Sequence, residues 1–61
     1  MPIVQIELLE GRTVEQKRLL AEKVTKAVTE TLNVPAERIN IIIRDMPKEN
    51  YASAGKLACD R

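Results

Sequence analysis

The sequence predicts an α+β fold: a single βαβ unit with parallel strands and a short C-terminal hairpin or arm, completed by oligomerisation. Residues 3–8 alternate, residues 14–32 carry an apolar stripe at helical spacing, and residues 39–44 return to an isoleucine-rich alternation. Strand, long helix and strand read as parallel strands joined by a right-handed crossover. Size supplies the oligomerisation. The chain has 61 residues, read as a single domain over 1–61, and at about that length only ~60% of the unfolded surface is buried on folding. One Cys cannot close an internal disulfide, and without His a structural zinc site is not expected. Association is the remaining source of stability.

The first strand rests on Ile3-Val4-Gln5-Ile6-Glu7-Leu8, in which Val4, Ile6 and Leu8 share one face and Ile3, Gln5 and Glu7 the other; Glu10-Gly11 breaks it. Thr13-Val14-Glu15-Gln16 matches a capping box, so the helix begins at Val14. Leu20, Val24, Ala27, Val28, Thr31 and Leu32 form its stripe, widened by Leu19 and Ala21. Asn33 suits a left-handed C-terminal residue, and Pro35 prevents continuation. In the second strand Ile39, Ile41 and Ile43 share one face and Arg38, Asn40, Ile42 and Arg44 the other, so both faces need cover. Met46-Pro47 ends it, and the small residues from Ala52 to Gly55 suit a hairpin or an arm reaching a neighbour.

Charge and composition exclude several roles. Ten basic against nine acidic residues give a net charge of +1, too little to recruit nucleic acid or an acidic membrane surface. Tyr51 is the sole aromatic, which leaves almost nothing for base stacking. No apolar run approaches the ~20 residues of a membrane span. The N-terminus shows no basic region followed by an apolar stretch, and a free cysteine without an export signal points to the cytoplasm. Without histidine, an enzyme of this sequence needs another general base.

Pro2 offers one. Loss of Met1 would make it a secondary amine at the chain terminus, titrating near ~8 before its surroundings act on it. Burial or nearby cations lower that value, and ring closure fixes the nitrogen's direction. Proline at position 2 alone carries little, since ~5% of residues are proline. Arg12, in the turn just before the helix N-cap, combines a planar guanidinium with free N–H groups at a helix start, which suits a carboxylate; alone it reads as a solvated loop arginine. Tyr51 serves equally as a pocket wall or as interface filling. Cys59 reads as an incidental thiol, and Lys17, Arg18 and Lys23 as a solvated face.

Together, Met1-Pro2-Ile3, Leu9-Glu10-Gly11-Arg12-Thr13, Glu15-Gln16-Lys17, the run from Ile41 to Met46, Asn50-Tyr51 and Gly55-Lys56-Leu57 resemble the 4-oxalocrotonate tautomerase family over nearly the whole chain. The resemblance implies a homohexamer built as a trimer of dimers, with no cofactor or metal. It implies that Pro2 is the general base, moving a proton within a 2-hydroxy-dienoate such as 2-hydroxymuconate to give the conjugated 2-oxo acid, a step of catechol breakdown. It assigns Arg12 to the substrate carboxylate distant from the reacting end and Tyr51 to the family's apolar pocket wall, usually Phe. One position departs. The family's second arginine, which polarises the 2-oxygen and adjacent carboxylate from a neighbouring subunit, falls on Asn40. An amide donates hydrogen bonds but brings no charge, and losing a positioned electrostatic donor costs ~10²–10³ in rate. On the expected strand, Arg38 lies on the same face ~6.6 Å away and Arg44 ~13 Å away, so Arg38 is the better substitute. Two alternatives remain: related proline-amine chemistry (dehalogenation by hydration, or decarboxylation), for which no carboxylate suited to activating water stands out, and a non-catalytic oligomeric module of the same fold.

Overall fold

The computed structural model describes residues 2–61, so the expected loss of Met1 concerns a residue outside the described range. In chain order it holds β1 (Ile3–Leu9), α1 (Val14–Leu32), a 3₁₀ turn at Ala36–Arg38, β2 (Asn40–Met46), a second 3₁₀ turn at Lys48–Asn50, β3 (Ala52–Ser53), β4 (Lys56–Leu57) and a last 3₁₀ turn at Ala58–Asp60. β1 and β2 pair in parallel, from Ile3 opposite Asn40 to Leu9 opposite Met46. The Asn40 N–H donates to the Pro2 carbonyl (3.1 Å) and the Glu10 N–H to the Met46 carbonyl (2.9 Å), carrying the ladder one residue past each end. β3 and β4 form a separate antiparallel hairpin.

α1 occupies the span its caps predict. Gln16 N–H donates to Thr13 Oγ1 (3.1 Å) and Thr13 N–H to Gln16 Oε1 (3.0 Å), so two otherwise unpaired helix-start donors are satisfied reciprocally. Asn33 closes the helix at φ 58°, donating its N–H to Thr29 O. Removing the Thr13 hydroxyl strips the cap: Thr13→Ala is expected to cost about 1 kcal/mol in denaturant unfolding, and retention of wild-type stability would show the cap to be dispensable. Leu20, Ala21, Val24 and Val28 are half-buried, whereas Leu19, Ala27, Thr31 and Leu32 of the expected stripe stay exposed. Two strands ~4.8 Å apart are narrower than a helix ~10 Å across and cannot cover the whole stripe.

The second strand differs from the sequence expectation at both ends. Arg38 and Ile39 donate their N–H groups to Pro35 O (3.0 Å) and Ala36 O (3.1 Å), so the chain is still turning where the strand was expected to start. Asp45 and Met46 pair with Leu8 and Leu9, and Pro47, without an N–H, follows the strand's last residue. The tail takes the hairpin form. Ala54 and Gly55 both have positive φ (53° and 81°), as a two-residue type I′ connection requires.

Among the described residues only Ile39, 9% exposed, is buried. The sheet face turned from α1 carries Ile3, 57% exposed, and Ile42, 38% exposed, beside the cross-strand ion pair of Arg44 with Glu7 (3.0 Å). The radius of gyration is 14.6 Å, against about 10.5 Å for a compact domain of this length. The accessible surface is 4866 Å², against about 4000 Å² for a compact monomer of this mass. The lone chain is thus an open, extended subunit. No helix among the described residues is long and apolar enough to cross a membrane.

Candidate active site

Parallel pairing brings the N-terminal ends of β1 and β2 together, and with them three of the five residues singled out in the sequence. Pro2 is half-buried and held to Asn40 by the main-chain bond at the head of the ladder. Its position is therefore set by the sheet. Asn40 opens β2 opposite Ile3, with an exposed side chain. Arg38 stands two residues upstream, at the end of the 3₁₀ turn. The strand alternation that was to align Arg38 with Asn40 does not reach it, because its amide belongs to the turn; the two are neighbours in the chain without sharing a strand face.

Arg12 lies at the other end. Gly11, at φ 118°, makes a turn that side-chain-bearing residues rarely adopt. Glu10 braces this turn by accepting the Lys48 N–H on its carboxylate (3.0 Å), tying the loop after β1 to the one after β2. Arg12 then rims a hollow of about 190 Å³ with Leu8, Gln16, Lys17 and Leu20. Lys17 is committed there to Asp45 (2.6 Å), which leaves the Arg12 guanidinium as the unpaired cation of the hollow. From Ile3 to Leu9 the strand rises ~20 Å, so Pro2 and Arg12 of one chain stand at opposite ends of the sheet.

Tyr51 follows the turn at Lys48–Asn50 and is 41% exposed, leaving much of its ring uncovered. Its carbonyl accepts the Ala58 N–H (2.8 Å), which folds the last turn back against it. That contact places the Arg61 guanidinium carbon 6.0 Å from the Tyr51 ring centre. The sequence reading did not single out Arg61; only the turn at Ala58–Asp60 brings it to a residue ten positions earlier. Two of the five arginines are tied to carboxylates, Arg18 to Glu15 and Arg44 to Glu7. Arg12, Arg38 and Arg61 have no carboxylate partner among the described residues, and Arg44 is removed as a substitute for the charge absent at Asn40. No group of three metal-ligating side chains converges among the described residues.

The family model described as Tautomerase enzyme matches residues 2–61. A 2-hydroxymuconate tautomerase of Bacillus subtilis is 53% identical over 60 residues, covering 98% of this chain and 97% of its own. A solved 4-oxalocrotonate tautomerase isozyme of Methylibium petroleiphilum superposes with a TM-score of 0.93 at 44% identity, covering 97% of this chain and 92% of that one. A heterohexamer 4-oxalocrotonate tautomerase of Chloroflexus aurantiacus superposes with a TM-score of 0.92 at 30% identity, covering 98% and 97% of the two chains.

Proposed function

The chain belongs to the tautomerase family and is an isomerase of that kind, and from this premise we propose that it ketonises 2-hydroxy-dienoate or related enol acids with the Pro2 amine as general base. The observation that carries the reading is the hydrogen bond from Asn40 to the Pro2 carbonyl. It anchors the one residue able to present a directed secondary amine at the head of a parallel sheet, in a chain without histidine. Once Met1 is removed, the nitrogen takes the proton from the substrate's 2-hydroxyl. The electron pair moves through the conjugated chain, and the same proton is returned to carbon. No electrons leave the substrate, and neither cofactor nor metal is required.

The remaining roles follow from charge and position. Arg12 binds a carboxylate by its planar fork, in a hollow floored by Leu8 and Leu20. Tyr51 forms an apolar wall, and Arg38 and Asn40 act on the substrate beside Pro2. A sheet length of ~20 Å between Pro2 and Arg12 is too long for a six-carbon diacid to bridge within one chain. We therefore place Arg12 of one copy against Pro2 of another, in a homo-oligomer taken to be a hexamer. The open sheet face and the extended shape of the lone chain support association.

The test has two parts. Intact mass of protein from its native host should correspond to loss of Met1, and that protein should ketonise 2-hydroxymuconate or phenylenolpyruvate. Retention of Met1 would leave Pro2 nitrogen an amide, and the mechanism would fail.

A further inference from the structure

We propose that Asp45 sets the charge of the Arg12 hollow by holding Lys17, and so makes it a place for a single carboxylate. The inference rests on the proposed role of Arg12 toward the substrate's distant carboxylate. By sequence Lys17 belongs to a solvated face, but in the structure it lines the hollow with Leu8, Arg12, Gln16 and Leu20. Its side chain is 28% exposed, against 69% for Arg18 and 54% for Arg44, the other ion-paired cations. Among the described residues, Arg12 and Lys17 are the charged members of that lining.

Two elements bring the pair together. Lys17 closes the first turn of α1, donating its N–H to Thr13 O (3.1 Å). Asp45 lies on β2 opposite Leu8, itself a lining residue. Lys17 Nζ donates to Asp45 Oδ2 at 2.6 Å. A carboxylate entering the hollow therefore meets Arg12 as a full charge and Lys17 as half of a neutral pair. Without Asp45 the same wall would carry two cations. No neighbouring carboxylate is free to take its place: Glu7 holds Arg44, Glu15 holds Arg18, and Glu10 accepts the Lys48 N–H. An ion pair this exposed adds little to stability, so its effect on charge is separable from folding.

The experiment compares wild type, Asp45→Asn, Lys17→Met and the double variant on 2-hydroxymuconate and on 2-hydroxypenta-2,4-dienoate, the monoacid without the distant carboxylate. Sedimentation checks assembly. Asp45→Asn frees Lys17 and is expected to lower KM for the diacid by about three- to tenfold, the effect of one added charge beside a carboxylate at a partly exposed site. Lys17→Met leaves Asp45 uncompensated and should raise the same KM by a similar factor. The double variant restores the original net charge and should return KM close to wild type. In each case kcat on the diacid, and both constants on the monoacid, should change little. A purely structural tie between α1 and β2 predicts otherwise: both single variants lose activity on both substrates, and the double variant is no better. That pattern overturns the proposal, as does loss of assembly in both single variants. Binding of adipate, a non-reacting diacid, measured by calorimetry, should tighten in Asp45→Asn; an unchanged Kd overturns the proposal as well. Arg12→Gln is the parallel control. If it leaves KM for the diacid unchanged, the Arg12 reading fails and the inference with it. If it raises that KM while Asp45→Asn and Lys17→Met match wild type, only the inference about Asp45 and Lys17 fails.

Discussion

Carbamoylation of the Pro2 nitrogen by cyanate is expected to lower kcat for enol ketonisation by about 10²–10⁴-fold, the contribution of a positioned general base. The reagent is selective for a physical reason. An α-amine titrates near ~8 and a lysine near ~10.4, so at neutral pH the terminal nitrogen is much the more available nucleophile, even beside the chain's five lysines. Carbamoylation makes the nitrogen an amide-like group that cannot take a proton, while the Pro2 carbonyl keeps its bond from Asn40. Pro2→Ala asks a different question. Alanine also presents an amine once Met1 is lost, but without the ring that amine rotates, so a smaller loss isolates the value of direction. With an amine as base, the rate should fall as pH drops through the amine's pKa. Full activity after quantitative carbamoylation, verified by mass, would sink the mechanism.

How much of this was legible in the sequence depended on how local each feature is. The limits of α1 were readable because Thr13, Gln16, Asn33 and Pro35 act within a turn of themselves, and the structure has those caps in place. The start of β2 was misread because Ile39 fits the isoleucine alternation, and nothing in periodicity reveals that its N–H is already given to Ala36. The stop at Met46-Pro47 was legible, but the pairing of Asp45 and Met46 past Arg44 was not, because Leu8 and Leu9, over thirty residues away, hold them. The same limit governed the site. Pro2, Arg12, Arg38, Asn40 and Tyr51 were singled out through motif spacing and family resemblance. Arg61 was not noticed beside Tyr51, since that contact is made only by a three-residue turn. The loss of Arg38 from the strand face follows directly from the misplaced start of β2.

Placing a charge on the open sheet face should abolish activity without touching any residue of the site. Ile42 lies on that face, opposite Gln5 and 38% exposed in the lone chain. If the chain worked alone, Ile42→Glu would be a surface change worth within about 0.5 kcal/mol. In an assembly that covers the face, each copy buries an unpaired carboxylate, at a cost of several kcal/mol per ion. The subunit has little with which to resist, because Ile39 alone among the described residues is buried. Ile42→Glu is therefore expected to sediment as dissociated chains, to lose helical circular dichroism, and to drop below about 1% of wild-type activity, whereas Ile42→Val keeps assembly and turnover. Activity and assembly should fall together, since Arg12 and Pro2 of one chain are a strand's length apart and, in the proposed function, act on one substrate only between copies. Dilution of the wild type offers the same test without mutation: specific activity should follow the assembled fraction. A folded Ile42→Glu monomer that turns over substrate at the wild-type rate would show that one chain suffices, and the division of the site between copies would have to be abandoned.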